Sequence, residues 1–352
     1  MSLAEARQRR QAALARAVTS RAWEAWARVD PERIAESWAE LVAAVAVDVA
    51  RGQFAAAAGS GRYVAQTVEL SGETASGPAP IPSAFAGRAP NGQPLTAWLM
   101  VPAWRSLRSI GRGSPVAESL ASGRFVLASQ AETAVFDAGR ASVAVAQVAE
   151  PAVRGWVRYL RTPSCARCIQ LAGRVYSVSE GFRRHPRCDC QARPATAADV
   201  KAYRDGDTAR DAFDAMSAAE QDAAFGRAGA QRIRDDGDLQ ALANAWRHKN
   251  RTAPAGRPKG EYRAANALAD DPQVTAVIRA SQAAEAEASE LARAGETAAA
   301  AAARDRALVL RKAAYRMSGT PTVGSMPESL IGLAGANRDA AVALLRAAGY
   351  LR

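Results

Sequence analysis

The sequence predicts a mostly α-helical protein interrupted near its middle by one small β-hairpin module. Apolar residues recur at three- and four-residue spacing through most of the 352 residues, as amphipathic helices require. Alanine is abundant and aromatics are only 6% of the chain, so neighbouring helices should pack closely over small side chains. The module is marked by a local switch to strand-like alternation, in a segment that also holds all four cysteines.

An N-terminal helical region is expected over 1–70. Asp30-Pro31 reads as a helix start, because aspartate caps free amides and proline is tolerated at the first helical position. After it Ile34, Trp38, Val42, Val45 and Val49 form one apolar stripe, and Trp23, Trp26 and Trp38 are assigned to the core or to a helix partner. From 71 to 95 the period is lost, and Gly77-Pro78, Pro80, Pro82, Pro90 and Pro94 mark a linker or a long surface loop.

A helical core is expected over 96–250, with the module at 155–195 inside it. Trp98, Val101 and Trp104 restart the helical pattern, Gly111 and Gly113 break it, and a long helix is expected over 124–148 with Phe125, Val135, Phe136, Val143 and Val145 apolar. Between Gly173 and Val178 the residues alternate as a strand does and are bounded by Gly181, which predicts the hairpin. Ser217 and Glu220 have capping-box spacing, and Gly237-Asp238 reads as a turn. A second Pro/Gly-rich linker lies at 251–263. Beyond it a C-terminal alanine-rich helical region is expected over 264–352, interrupted near Pro272 and Gly295. It closes with a helical pair whose core is Leu330, Ile331, Leu333, Leu344 and Leu345.

The chemistry concentrates in the module. Cys165-Ala-Arg-Cys168 is followed, after sixteen residues, by His185-Pro-Arg-Cys188-Asp-Cys190. Cys165 and Cys168 can grip one ion from a tight knuckle while the second segment supplies histidine and cysteine to close a tetrahedron, which reads as zinc. Zinc takes four ligands and five are offered. The spacing leaves open whether His185, Cys188 or Cys190 stands outside the set. Two disulfides are the alternative, but they need an oxidising compartment, and the Arg- and Ala-rich N-terminal residues contain no apolar signal region.

A closed four-ligand site is structural, whereas three ligands and an open position activate water. The acidic residues between the donors are Glu180 and Asp189, and neither sits in a metalloprotease-like or deaminase-like arrangement. Structural zinc is therefore expected, and no catalytic residue is assigned.

The chain carries a net charge of +11. Arg154, Arg158, Arg161, Arg167, Arg174, Arg183, Arg184, Arg187 and Arg193 surround the ligand cluster, opposed there by Glu180 and Asp189, so the module holds about two thirds of that excess. These arginines are the candidate contacts for nucleic acid or an acidic partner surface. No stretch reaches the ~18 uninterrupted apolar residues of a membrane span, so no membrane is expected among the partners.

Several of these residues also carry a family likeness. The run Val157-Arg158-Tyr159-Leu160 leads into Cys165 and Cys168. Gly173-Arg174, Tyr176, Gly181-Phe182 and then His185, Cys188 and Cys190 follow. Together they resemble the signature of MuF-like minor head proteins of tailed bacteriophages, in particular the actinobacteriophage group. Downstream, Phe213, Met216-Ser217, Glu220-Gln221-Asp222, Phe225-Gly226, Ala230-Gln231, Ile233, Asp235 and Gly237 look like the same proteins. The likeness covers roughly 120–250.

It implies a virion component acting in head assembly, DNA packaging or ejection, with the portal protein, the capsid interior and double-stranded DNA as neighbours. It implies a place inside the capsid, host cytoplasm during assembly, no small-molecule substrate and no reaction, with Cys165, Cys168, His185, Cys188 and Cys190 as the expected metal site. The competing readings are a capsid maturation protease and a zinc-containing nucleic-acid-binding protein or nuclease. The chain has two histidines, so zinc on His185 leaves only His248 for imidazole chemistry, in a context without a nucleophile elbow.

Overall fold

A computed structural model describes residues 2–161, 163–182, 184–185, 188–204, 208–235, 237–239, 241, 272–304, 307 and 326–352. Arg183, Arg187, His248 and the linker expected at 251–263 lie outside the described residues. The fold is mostly helical with one small antiparallel sheet, the class the sequence predicts.

Helix α1 (Leu3–Trp26) starts where the Ser2 hydroxyl accepts the Glu5 amide. Helices α2 (Ile34–Ala57) and α3 (Ser60–Leu70) follow, separated by Gly59 in the left-handed region at φ 80°. Asp30-Pro31 does not start α2. Asp30 Oδ1 accepts the Glu32 amide and the Asp30 amide donates to Ser37 Oγ, so the residue closes the turn between helices instead of capping one.

The stretch from Ile34 to Leu70, with a mean hydropathy of 1.4 in its most apolar part, is long and apolar enough by composition to cross a membrane. Here it is broken at Gly59, and its Trp38, Val42, Val45 and Val49 are packed inside the bundle.

Two short helices, α4 (Leu95–Trp98) and α5 (Val101–Ile110), lead to α6 (Val116–Ala149), whose 34 residues make a rod about 50 Å long. This rod is the centre of the fold. Its Leu127, Ala131, Ala134 and Val135 meet α1 and α2, and Trp26 and Trp38 pack edge to face there with ring centroids 4.8 Å apart. Both indole N–H groups find carbonyls, Trp26 on Leu120 and Trp38 on Leu99. Trp23 is not in this core: it is 39% exposed, with the Arg124 guanidinium 4.3 Å from its ring centroid.

Glycines set how closely the rod is approached. A Cβ at Gly139 would lie 1.9 Å from Gln11 Nε2, and one at Gly123 would lie 2.3 Å from Ser106 Oγ, so α1 and α5 sit against bare backbone.

The hydrophobic clusters cross the expected segment boundaries. Terminal helices Pro327–Ala334 and Arg338–Ala347 bury Leu330, Ile331, Leu344 and Leu345 against Ala138, Ala141, Val145 and Val148 of α6, while Leu333 is only partly buried. The 71–95 segment is fastened along this surface. Ser76 and Gly77 donate their amides to the Glu150 carboxylate, Ile81 donates to the Tyr350 carbonyl, and Phe85 packs on Tyr350. Arg338 also donates to the carbonyls of Glu150 and Val153. Proline and glycine report irregular backbone; they do not report loss of contact.

The sheet is larger than a hairpin. Central β1 (Gly155–Tyr159) pairs antiparallel with β2 (Val175–Tyr176) on one side and β3 (Gln191–Ala195) on the other, with Trp156 opposite both Tyr176 and Pro194. The alternating 173–178 segment thus contributes two residues of strand, and its partner lies ahead of the first cysteine. Between the strands sits a single-turn helix, α7 (Ala166–Ile169).

Helices α8 (Ala197–Arg204), α9 (Thr208–Asp214), α10 (Ala218–Phe225) and α11 (Arg227–Arg234) follow. The capping box at Ser217 and Glu220 is formed, and Phe213, Phe225 and Ile233 make a satellite core with Ile169 of α7. Farther on, the helix Pro272–Arg293 ends at Gly295, φ 82°, and 297–304 is helical again; buried Ala284, Ala288, Ala300 and Ala303 belong to these two segments.

Candidate metal centre

Two short segments bring the five donors together. Cys165 is the N-cap of α7, and its carbonyl accepts the amides of Cys168 (2.9 Å) and Ile169 (3.1 Å), which turns both thiols to one end of a tight knuckle. Ile169 holds that knuckle on the satellite core. The second segment turns where the Cys188 amide donates to the His185 carbonyl, then runs through Cys190 into β3.

The donor atoms form two overlapping triads, Cys165–Cys168–His185 and Cys168–Cys188–Cys190, each with all ligand atoms within 4.8 Å of one another. Cys168 belongs to both. His185 Nε2 lies 3.3 Å from Cys165 Sγ and 3.4 Å from Cys168 Sγ, and Cys168 Sγ lies 3.9 Å from Cys188 Sγ. Metal–ligand lengths of ~2.3 Å to sulfur and ~2.0 Å to nitrogen give tetrahedral edges of about 3.8 Å between sulfurs and about 3.5 Å from sulfur to nitrogen. The cluster could hold a metal ion. No disulfide links the four cysteines, which are free thiols.

Cys168, Cys188 and Cys190 are buried, Cys165 is exposed and His185 is half-buried. Crowding shows in their acidities. The Cys165 thiol is held down to about 4, chiefly by its hydrogen bond with Cys168 and then by His185, against the effect of burial. Cys188 is lowered by its hydrogen bonds with Cys168 and Cys190. Cys168 is raised by its hydrogen bonds with Cys165, Cys188 and Cys190. Cys190 is pushed up to about 12: its bond with Cys168 lowers it, but the bond with Cys188, burial and the Cys188 charge outweigh that. A dication would relieve this crowding by neutralising the sulfurs together.

Two buried arginines surround the cluster. Arg140, 4% exposed on α6, donates Nε to the Cys190 carbonyl (2.9 Å) and a terminal nitrogen to the Cys188 carbonyl, and pairs with Asp137 Oδ1 at 2.7 Å. Arg184 meets the same Asp137 oxygen at 2.6 Å. Arg158, 3% exposed on β1, lies 4.1 Å from the centroid of Phe182. Burial alone would lower its pKa, yet it is raised, because Cys190, Cys168 and Cys188 place negative charge beside it. Arg158 is a counter-charge inside the site, which corrects its expected place among the polyanion contacts.

The other arginines divide. Arg154, Arg161, Arg167 and Arg174 are exposed. Arg184 is committed to Asp137, and Arg193 to Tyr203 and Asp199. Both candidate acids are bound into the scaffold: Glu180 accepts the Ser177 amide at 2.8 Å, and Asp189 accepts from Gln8 of α1 at 2.8 Å.

Sequence reasoning missed Arg140, Asp137, Gln8 and the stack of Trp156 on Tyr176, whose centroids are 4.1 Å apart. One signal was available: Asp137 and Arg140 are an opposite-charge pair at i, i+3 inside an otherwise small and apolar helix stretch.

No family model matches the chain, and neither a curated protein nor a solved structure matches it.

Proposed function

We propose that the chain is a structural minor capsid protein of a tailed bacteriophage, acting in head morphogenesis, with zinc as its metal. In this reading Cys165, Cys168 and His185 hold the ion with a fourth sulfur from Cys188 or Cys190, both of which lie within 4.8 Å of Cys168. Zinc there cross-links two segments that have little core of their own. The partners are the portal protein and the capsid interior, with packaged DNA beside the module; assembly takes place in the host cytoplasm. Membranes and small-molecule substrates have no part in it, and the chain is not an enzyme.

One observation carries the reading: the donor cluster is built as a brace. Its second segment is tied through its own carbonyls to the central helix, and the two acids nearest the donors are spent on structural hydrogen bonds. The sequence likeness supplies the setting in which such a brace serves. Purified heads should contain the chain by mass spectrometry; particles that package DNA normally without it would sink the proposal.

DNA contact is tested separately. If Arg154, Arg161, Arg167 and Arg174 each neutralise one phosphate, log K against log salt should have a slope of about −3.6, from ~0.9 per phosphate. Replacing all four with alanine should flatten it. A slope near zero for the unaltered protein removes DNA from the account.

A further inference from the structure

The other end of the central helix carries a surface that the metal centre does not use. Helix α5 buries Pro102, Ala103 and Ser106 against α6, where Ser106 Oγ donates to the carbonyls of Pro102 and Ser119. Gly123 allows that contact, since any Cβ there would strike Ser106. The helix is therefore fixed in rotation. It presents Val101, Trp104 and Leu107 to solvent at 36%, 51% and 41% exposure, together with exposed Arg105 and Arg108.

Charge decides what fits. No aspartate or glutamate occurs between Glu73 and Glu118, while Arg88, Arg105, Arg108 and Arg112 all do. By helical spacing Arg108 stands between Trp104 and Val101, inside the apolar face, and Arg105 flanks Val101 at its edge. A lipid surface favours an apolar face with charge confined to the opposite side. Interfaces between proteins instead concentrate affinity in tryptophan and arginine, and arginine pairs two-pronged with carboxylates.

We propose that this face of α5 is a docking site for an acidic amphipathic helix of a partner protein. Leucine-like side chains of the partner pack on Val101, Trp104 and Leu107, and its carboxylates, one turn apart, engage Arg105 and Arg108. Because α5 is already held by α6, little ordering is needed on binding. The site lies roughly 25 Å from the metal centre, counted along α6 from Gly123 to Arg140, and does not depend on the assembly role proposed above.

The test uses the full chain and a synthetic amphipathic helical peptide with leucines on one face and glutamates flanking them. Its control is the same peptide with lysine in place of glutamate, and vesicles rich in phosphatidylserine and duplex DNA are run in parallel. The acidic peptide should bind and change Trp104 fluorescence. Its affinity should fall at least tenfold in Trp104→Ala and in Arg105→Glu/Arg108→Glu, with the lysine peptide inactive. The charge-reversal variant changes only exposed side chains, so it reads the site even if Trp104→Ala disturbs packing. No binding of the acidic peptide, or binding that the charge reversal leaves intact, overturns the proposal. So does loss of vesicle or DNA binding in that variant while the peptide is ignored.

Discussion

Cys168→Ser is expected to abolish stoichiometric metal binding and to unfold the 155–195 module while the helical bundle around α6 persists. Cys168 is the donor common to both triads and lies 3.4 Å from His185 Nε2 and 3.9 Å from Cys188 Sγ, so its loss leaves neither triad complete. Structural zinc contributes ~10–16 kcal/mol of apparent binding energy, far more than a three-stranded sheet of this size can replace. Elemental analysis reads the metal, and near-ultraviolet circular dichroism reads the stack of Trp156 on Tyr176. Of Cys188→Ser and Cys190→Ser, one should keep the metal and the other lose it, which names the fourth donor. Metal retained at the original level in Cys168→Ser, or none in the unaltered protein, would end the zinc reading.

The second large effect concerns Arg140. Arg140→Met should destabilise the protein by about 3–5 kcal/mol, as expected when one member of a buried ion pair is removed. The change strips the Cys188 and Cys190 carbonyls of their donor and leaves Asp137 with Arg184 alone. Arg140→Lys should recover only part of the loss, since one ammonium cannot span two carbonyls and a carboxylate in the planar fork that guanidinium offers. Chemical denaturation measures the stability, and the rate at which a chelator strips the metal should rise in the same order. If Arg140→Met matched the parent within ~1 kcal/mol, the tether between the ligand segment and α6 would carry no weight.

These two residues also show what could be read from sequence. The five donors were legible because ligand chemistry restricts residue type and spacing together, so Cys165, Cys168, His185, Cys188 and Cys190 stand out without any tertiary information. Arg140 was hidden because its partners are backbone carbonyls, which every residue possesses. Arg158 counted as surface charge for a related reason: composition cannot tell a solvated guanidinium from one buried beside the cysteine cluster. Strand β1 escaped notice because Gly155 to Arg158 are all buried, which removes the alternation that marks a half-exposed strand. The helices were legible where one face is apolar. Where Asp30-Pro31 satisfies a turn instead of a cap, the same residues serve both uses, and the start of α2 was placed too early.

The closing of α6 by the terminal helices has a consequence for how the chain is made. Leu330, Ile331, Leu344 and Leu345 cover a strip of α6 whose residues lie nearly 200 positions earlier. During synthesis Ala138, Ala141, Val145 and Val148 are therefore completed long before their cover, at ~5–20 residues per second. For those seconds α6 presents an apolar strip without its cover. Exposed apolar surface of that kind favours aggregation, and 326–352 are the residues that cover it.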